Sequence, residues 1–146
     1  MIQLGAVVAV GVYFRDRIRN ATAGLWRREP GALRLWGAII AAFIPTAVAG
    51  LLLNELVKAH LFGPVPVAAA LIVGGVAMIA IDRFHRGEGA GSIDRVTILN
   101  GFLIGCAQCL ALWPGASRSM TTIVAGRLTG LDTRASAEFS FLLALP

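Results

Sequence analysis

Residues 112–122 concentrate side chains of the kinds that bind phosphate. Their sequence is Leu-Trp-Pro-Gly-Ala-Ser-Arg-Ser-Met-Thr-Thr. Pro114 and Gly115 interrupt a helix, and a new helix that begins at residues 117–119 presents unpaired backbone N–H groups and the positive end of its dipole. Arg118 adds a planar, permanently charged group that matches phosphate oxygens. The segment therefore predicts an anion site at the start of the second helix.

Hydroxyl groups flank this arginine in the sequence. They belong to Ser117, Ser119, Thr121 and Thr122. An arginine inside a bilayer costs at least about 2.5–3.5 kcal/mol, which favours a bound anion as the partner of Arg118. The alternative is an interfacial turn, in which the arginine reaches lipid headgroups and the hydroxyls cap a helix. These residues by themselves do not distinguish a phosphate group from a transported anion.

The elements that must position this segment are apolar. The chain of 146 residues is 57% hydrophobic and 14% charged, and its mean hydropathy is +0.76. Soluble domains carry about 25% charged residues, so the composition excludes a soluble globule, and a chain this apolar is not disordered either. An uncharged block such as 35–54 matches the roughly 30 Å core of a bilayer. We predict one all-α integral membrane domain over 1–146, with helices near 1–14, 35–54, 61–81, 95–113, 119–129 and 135–146.

Basic residues alternate between the two sides of this predicted bundle. Six arginines lie within 15–34 and three within 82–95, whereas Lys58 alone follows the second block. The positive-inside rule then places 15–34 and 82–95 in the cytoplasm as loops, and 55–58 outside. The net charge of +5 is explained by loops that face anionic lipid, and we expect no nucleic-acid partner.

The arginine segment lies between a long and a short apolar stretch. Twenty-two uncharged residues, 96–117, precede Arg118, and only eight, 119–126, separate it from Arg127. Two arrangements are open: a full crossing with a short return, or a re-entrant hairpin whose tip, 114–119, lies at membrane depth. Irregular backbone at that depth needs protein or a water-filled cavity to satisfy its polar groups.

Gly101 and Gly105 form a G-x-x-x-G pattern in the stretch that leads to this tip. Such spacing lets two helices approach closely. Because the pattern is common in bundles of many helices, we predict that it packs within the protein and does not form a dimer interface.

Residues 114–122 match the P-G-x-S-R-S-x-x-T signature of the undecaprenyl-diphosphatase family, the bacterial bacitracin-resistance phosphatases. Residues 105–113 resemble the helix that leads into this signature, residues 137–144 resemble the segment after it, and residues 2–5 resemble an earlier helix. The resemblance covers essentially the whole chain. The family often has glycine where this chain has Met120.

The resemblance implies a multi-pass enzyme of the bacterial inner membrane, built from inverted repeats that each contain a re-entrant hairpin. Such an enzyme hydrolyses undecaprenyl diphosphate to undecaprenyl phosphate and inorganic phosphate. Arg118 and Ser117 would then be catalytic, and the attacking group could be Ser117, Ser119 or water. The remaining signature residues would bind substrate: Gly115, Ser119, Thr121 and Thr122. The resemblance also implies a divalent cation, Mg²⁺ or Ca²⁺, and leaves a homodimer open.

The family also carries a Glu-rich first motif and a histidine on an N-terminal hairpin, and neither is present in this chain. We therefore expect a piece of a longer protein that lacks this motif and the C-terminal helices and is inactive by itself. A second hypothesis is a transporter or flippase of a phosphorylated polyprenyl lipid, which would use the same pocket without hydrolysis.

Overall fold

The computed structural model describes residues 2–85 and 91–144, and over these ranges the chain is all-helical, with no strand. Within these ranges seven α-helices follow one another: α1 (Ile2–Tyr13), α2 (Arg15–Trp26), α3 (Pro30–His60), α4 (Pro64–Phe84), α5 (Ile98–Gln108), α6 (Arg118–Leu128) and α7 (Thr133–Leu143). Short 3-10 helices lie at Ile93–Arg95 and Cys109–Leu112. The prediction of an all-α fold is confirmed. Arg86, which the sequence assigns to a cytoplasmic loop, lies outside the described residues.

Two helices, α3 and α4, are long and apolar enough to cross a membrane among the helices in the described ranges. Each begins with a proline, Pro30 or Pro64, at a position where the missing N–H costs no hydrogen bond. Their 31 and 21 residues correspond to about 46 and 31 Å of helix. Large apolar side chains on both helices are exposed, including Leu51 at 85% and Ile72 at 67%. Such surfaces are typical of contact with lipid or with further helices.

The prediction of a loop over 15–34 is wrong. Residues Arg15–Trp26 form α2, and α3 begins at Pro30, so Arg34 is helical as well. Arginine and alanine are good helix formers, and a high density of charge does not prevent a helix at a surface. Trp36 of α3 donates its indole N–H to the carbonyl of Ala21 in α2 at 3.3 Å, which ties the two helices together.

Helices α3 and α5 pack closely because glycine faces alanine. A Cβ atom at Gly101 would overlap the backbone of Ala38, and a Cβ atom at Gly105 would overlap the backbone of Ala42. Both glycines are buried, and both alanines are fully buried in α3. The prediction that this pattern packs within the protein is confirmed.

Ion pairs at one end of the bundle join segments that are distant in sequence. Arg17 of α2 donates to Asp94 at 2.9 Å. Arg127, at the end of α6, donates to the carbonyl of His85 at 2.6 Å and to Asp82 of α4 at 3.4 Å. The backbone N–H of Asp132, after α6, donates to the carbonyl of Gly91, before α5, at 3.2 Å. The start of α5 and the end of α6 therefore lie at this same end, which is where α4 ends.

Candidate functional site

The turn that joins α5 to α6 rests on the first turn of α4. After the 3-10 helix Cys109–Leu112, Trp113 donates its indole N–H to the carbonyl of Pro66 at 3.1 Å. Gly115 has a φ of +95°, a left-handed backbone conformation that residues other than glycine rarely adopt. A Cβ atom there would lie 2.7 Å from the carbonyl oxygen of Val67. Both the backbone conformation and the close approach therefore require glycine.

Helix α6 begins at the predicted place, directly after this turn. Ser117 is its N-cap, and the Ser117 hydroxyl accepts from the backbone N–H of Met120 at 3.3 Å. Within the described ranges, no residue accepts from the backbone N–H of Arg118 or Ser119. The Ser119 side chain is exposed. The start of α6 thus offers two backbone donors and one hydroxyl to a ligand.

The Arg118 guanidinium is held by two other helices. Its Nη2 atom donates to the carbonyl of Leu143, at the end of α7, at 2.9 Å. The amide of Gln108, oriented by its hydrogen-bond network, places its oxygen 2.8 Å from Nε and 3.1 Å from Nη2 of Arg118. Among the residues that the structure describes, none accepts from Nη1, and no carboxylate pairs with Arg118.

Gln108 is the site residue that the sequence interpretation missed. Its side chain is only 4% exposed, at the last position of α5. Burial of an amide is costly unless the amide is hydrogen-bonded, and here its partner is Arg118. The signal in the sequence was a polar amide close to the end of an apolar stretch, ten residues before the arginine.

Two of the predicted substrate-binding residues face the interior. The Thr121 hydroxyl donates to the carbonyl of Ser117 at 2.9 Å. Thr122 is 1% exposed, and its hydroxyl lies 2.9 Å from the carbonyl of Arg118 and 2.6 Å from the hydroxyl of Ser140 in α7. The structure therefore brings Ser117, Arg118 and Ser119 together at an exposed surface and sets both threonine hydroxyls against protein atoms. Substrate binding by the two threonines stays a prediction.

An apolar groove of about 280 Å³ lies beside the turn, between α4 on one side and the 3-10 helix Cys109–Leu112, the turn and α6 on the other. Its walls include Val73 and Gly74 of α4, and Trp113, Ala116 and Met120 of the turn and α6. The Met120 thioether lies over Gly74, 2.7 Å from where a Cβ atom would be. The groove therefore lies next to the residues that are predicted to bind an anion and continues along α4.

The residues near Arg118 do not fit a metal ion by themselves. Within 2–85 and 91–144, no group of three or more His, Cys, Asp or Glu side chains is placed to hold one. Divalent cations such as Mg²⁺ prefer carboxylate oxygens, and none pairs with this arginine in the part of the chain that the structure describes. The expected divalent cation stays a prediction from the resemblance.

Comparisons with known proteins identify the family of this chain. The family model described as bacitracin resistance protein BacA matches residues 1–146. An undecaprenyl-diphosphatase from Sorangium cellulosum is 58% identical to this chain, over all of the chain and 48% of the relative. Relatives of the same name from Caldanaerobacter subterraneus and Rhizorhabdus wittichii are 46% and 41% identical, again over all of this chain and over 54% and 55% of their own lengths.

The chain thus spans about half the length of the curated relatives that it matches. The match of the family model over the full chain, the two long apolar helices and the arginine at the start of α6 all point to the same kind of membrane protein. The chain belongs to the bacitracin resistance protein BacA family.

Proposed function

We propose that this chain contributes Arg118 and its surroundings to a phosphatase that converts undecaprenyl diphosphate into undecaprenyl phosphate and inorganic phosphate. The observation that carries the proposal is Arg118 itself. It is a permanent cation without a described counter-ion, at a helix start with two free N–H groups. The relatives are named undecaprenyl-diphosphatase, which favours hydrolysis over the transport alternative.

The depth of the turn supports a re-entrant hairpin formed by α5 and α6. Gly115 contacts Val67, three residues after the start of α4 at Pro64, and Met120 contacts Gly74, ten residues after that start. At 1.5 Å per residue, Val67 and Gly74 lie about 5 and 15 Å along the axis of α4 from its start, and the whole helix is about 31 Å long. Arg118 lies between them, and both legs of the hairpin return to the other end of α4.

The short legs support the same arrangement. Helices α5 and α6 have 11 residues each, or about 16 Å of helix, roughly half of a bilayer core. Polar backbone at that depth requires protein contacts, which Trp113 and Gly115 make with the first turn of α4. An inverted repeat would pair this hairpin with a second one.

In the proposed reaction Arg118 stabilises negative charge on the transferring phosphoryl group. An oxygen nucleophile attacks the terminal phosphorus, the bond from that phosphorus to the bridging oxygen breaks, and the bridging oxygen leaves with undecaprenyl phosphate. The net change consumes one water and releases one inorganic phosphate. Nη1 of Arg118 and the N–H groups of residues 118 and 119 are placed to bind the oxygens that gain charge. The nucleophile is Ser117, Ser119 or water.

The groove beside the turn gives the polyprenyl chain a place next to its diphosphate. Its lining is almost entirely apolar, and Trp113 and Ala116 belong to both the groove and the turn. A lipid whose phosphates lie at the start of α6 could extend its first isoprene units along Gly74 and Val73. Because the lipid tail is already in an apolar bilayer, these units would gain packing contacts in the groove and no transfer energy from water.

The proposed location is the bacterial inner membrane, with several crossings. The arginine-rich end, where Arg17 meets Asp94, would face the cytoplasm, and the turn at Gly115 would face the opposite side. A divalent cation and a second copy of the protein are further parts of the proposal that rest on the resemblance alone.

The experiment that tests the proposal measures phosphate release by the full-length gene product in detergent, with undecaprenyl diphosphate as substrate. Detergent micelles have no leaflets, so a phosphatase releases phosphate there and a flippase does not. We expect release by the natural sequence and at least a 100-fold loss in Arg118→Ala. An absence of release by the natural sequence, with lipid moved between the leaflets of vesicles, would establish the transport alternative instead.

A further inference from the structure

We propose that Gln108 is a positioning residue that holds the Arg118 guanidinium through a neutral oxygen and so directs Nη1 of Arg118 toward the diphosphate. The inference rests on the proposed function. It deepens that function by assigning a role to a residue that lies outside the P-G-x-S-R-S-x-x-T signature.

The contacts of Arg118 engage one side of its guanidinium. A guanidinium has five N–H groups. The Gln108 oxygen accepts from Nε at 2.8 Å and from Nη2 at 3.1 Å, and the Leu143 carbonyl accepts from Nη2 at 2.9 Å. These contacts use three N–H groups and leave the two on Nη1, for which no acceptor lies in the described part of the chain. The contacts with α5 and α7 therefore determine which edge of the guanidinium, the Nη1 edge, is left free to bind a ligand.

The Gln108 side chain is held in a fixed position by its surroundings. Gln108 is 4% exposed at the end of α5, where Gly105 of the same helix is packed directly on Ala42 of α3. A buried side chain on a closely packed helix has little freedom, so its oxygen is a fixed point. Arg118 has a long side chain with many rotamers, and two bonds to one fixed oxygen select a single orientation. Pre-organisation of this kind removes an ordering cost from the reaction.

The Gln108 amide is neutral, and this affects the charge available at Arg118. A carboxylate in the place of the amide would form an ion pair with Arg118 and cancel the charge that the diphosphate needs. The amide oxygen accepts the same hydrogen bonds and leaves the net positive charge in place. A neutral acceptor is thus the group that both holds the cation and keeps it available to an anion.

Two substitutions of similar size separate these effects in the full-length gene product. Gln108→Met keeps the length of the side chain and removes the acceptor, so the guanidinium loses its fixed orientation. We expect kcat for phosphate release to fall at least tenfold. Gln108→Glu keeps an acceptor and adds a negative charge, so we expect KM for undecaprenyl diphosphate to rise at least tenfold. The inhibition constant of inorganic pyrophosphate, used as a probe of binding alone, should rise with it.

A control and a stability measurement complete the test. Cys106→Ala lies on the same helix at an exposed position, and it should leave kcat, KM and pyrophosphate inhibition unchanged. Thermal unfolding in detergent shows whether each variant is folded, and Gln108→Asn, which retains an amide on a shorter side chain, replaces any variant that is not. Gln108→Asn should lower kcat by less than tenfold, because its amide oxygen is still an acceptor.

The results that overturn the inference differ from those that overturn the proposed function. If Arg118→Ala abolishes phosphate release while folded Gln108→Met and Gln108→Glu both keep natural kcat and KM, Gln108 does not position the arginine. Equal effects of Met and Glu that follow the loss of thermal stability would show a packing role only. If the natural protein releases no phosphate at all, the proposed function itself fails.

Discussion

Gly115→Ala should destabilise the protein for two separable reasons. Its φ is +95°, and this backbone conformation costs a residue other than glycine about 1–2 kcal/mol of stability. The added Cβ atom would also lie 2.7 Å from the Val67 carbonyl oxygen and 2.9 Å from Val67 Cγ1. Relief of such overlap in a packed region costs a further 1–3 kcal/mol, approximately. We therefore expect a loss of about 2–5 kcal/mol in the free energy of unfolding.

Gly130 offers a matched control, because the structure repeats the backbone conformation there without the contact. Its φ is +96°, and nothing lies within 4 Å of the position that a Cβ atom would take. Gly130→Ala should therefore lower the free energy of unfolding only by the cost of the positive φ, about 1–2 kcal/mol. The difference between the two variants isolates the contact between the turn and α4.

The assay is denaturant unfolding of the full-length gene product in detergent, followed by phosphate release from the folded fraction. Gly115→Ala should also lower phosphate release, because movement of the turn displaces Arg118 three residues later, whereas Gly130→Ala should keep it. Equal losses of stability and equal phosphate release in the two variants would refute the docking of this turn on Val67.

Three further outcomes follow from buried and exposed contacts. Thr122→Val should lose about 1–3 kcal/mol in unfolding free energy, because the buried Ser140 hydroxyl loses its partner at 2.6 Å; Thr122→Val with Ser140→Ala should lose less than the sum of the two single changes. Gly105→Val should lose at least about 2 kcal/mol in detergent unfolding through overlap with the α3 backbone, whereas Gly75→Ala, which has open space, should be neutral within ~0.5 kcal/mol. Arg17→Ala breaks a largely exposed ion pair and should lower the free energy of thermal unfolding by only about 0–1 kcal/mol. The loss should be smaller still at high salt, which screens the pair.

Local chemistry allowed the break between α5 and α6 to be predicted. Pro114 and Gly115 cannot continue a helix, and Ser117 caps the next one, so the start of α6 depends on residues that are adjacent in sequence. The same holds for the close approach at Gly105, since only small residues permit it. The identity of the partner, Ala42 of α3, depends on the tertiary fold and could not be predicted.

The sequence was less informative where tertiary structure decides. The many charges of Arg15–Trp26 predict a loop, yet the segment is a helix that Trp36 of α3 contacts through a hydrogen bond to the Ala21 carbonyl. The contacts of Arg118 with Gln108 and with the Leu143 carbonyl join three helices. A carbonyl oxygen as a partner leaves no trace in residue types, so this part of the site could be found only in the structure.

The central claim is that Arg118 binds the diphosphate of a polyprenyl lipid during hydrolysis. The most direct measurement compares kcat/KM for phosphate release from undecaprenyl diphosphate in the natural full-length protein, in Arg118→Ala, and in Arg134→Ala, which removes an exposed arginine of α7. We predict a loss of at least 100-fold for Arg118→Ala, or about 2.7 kcal/mol of transition-state stabilisation, and no change for Arg134→Ala. Equal values of kcat/KM in the two variants would contradict the account.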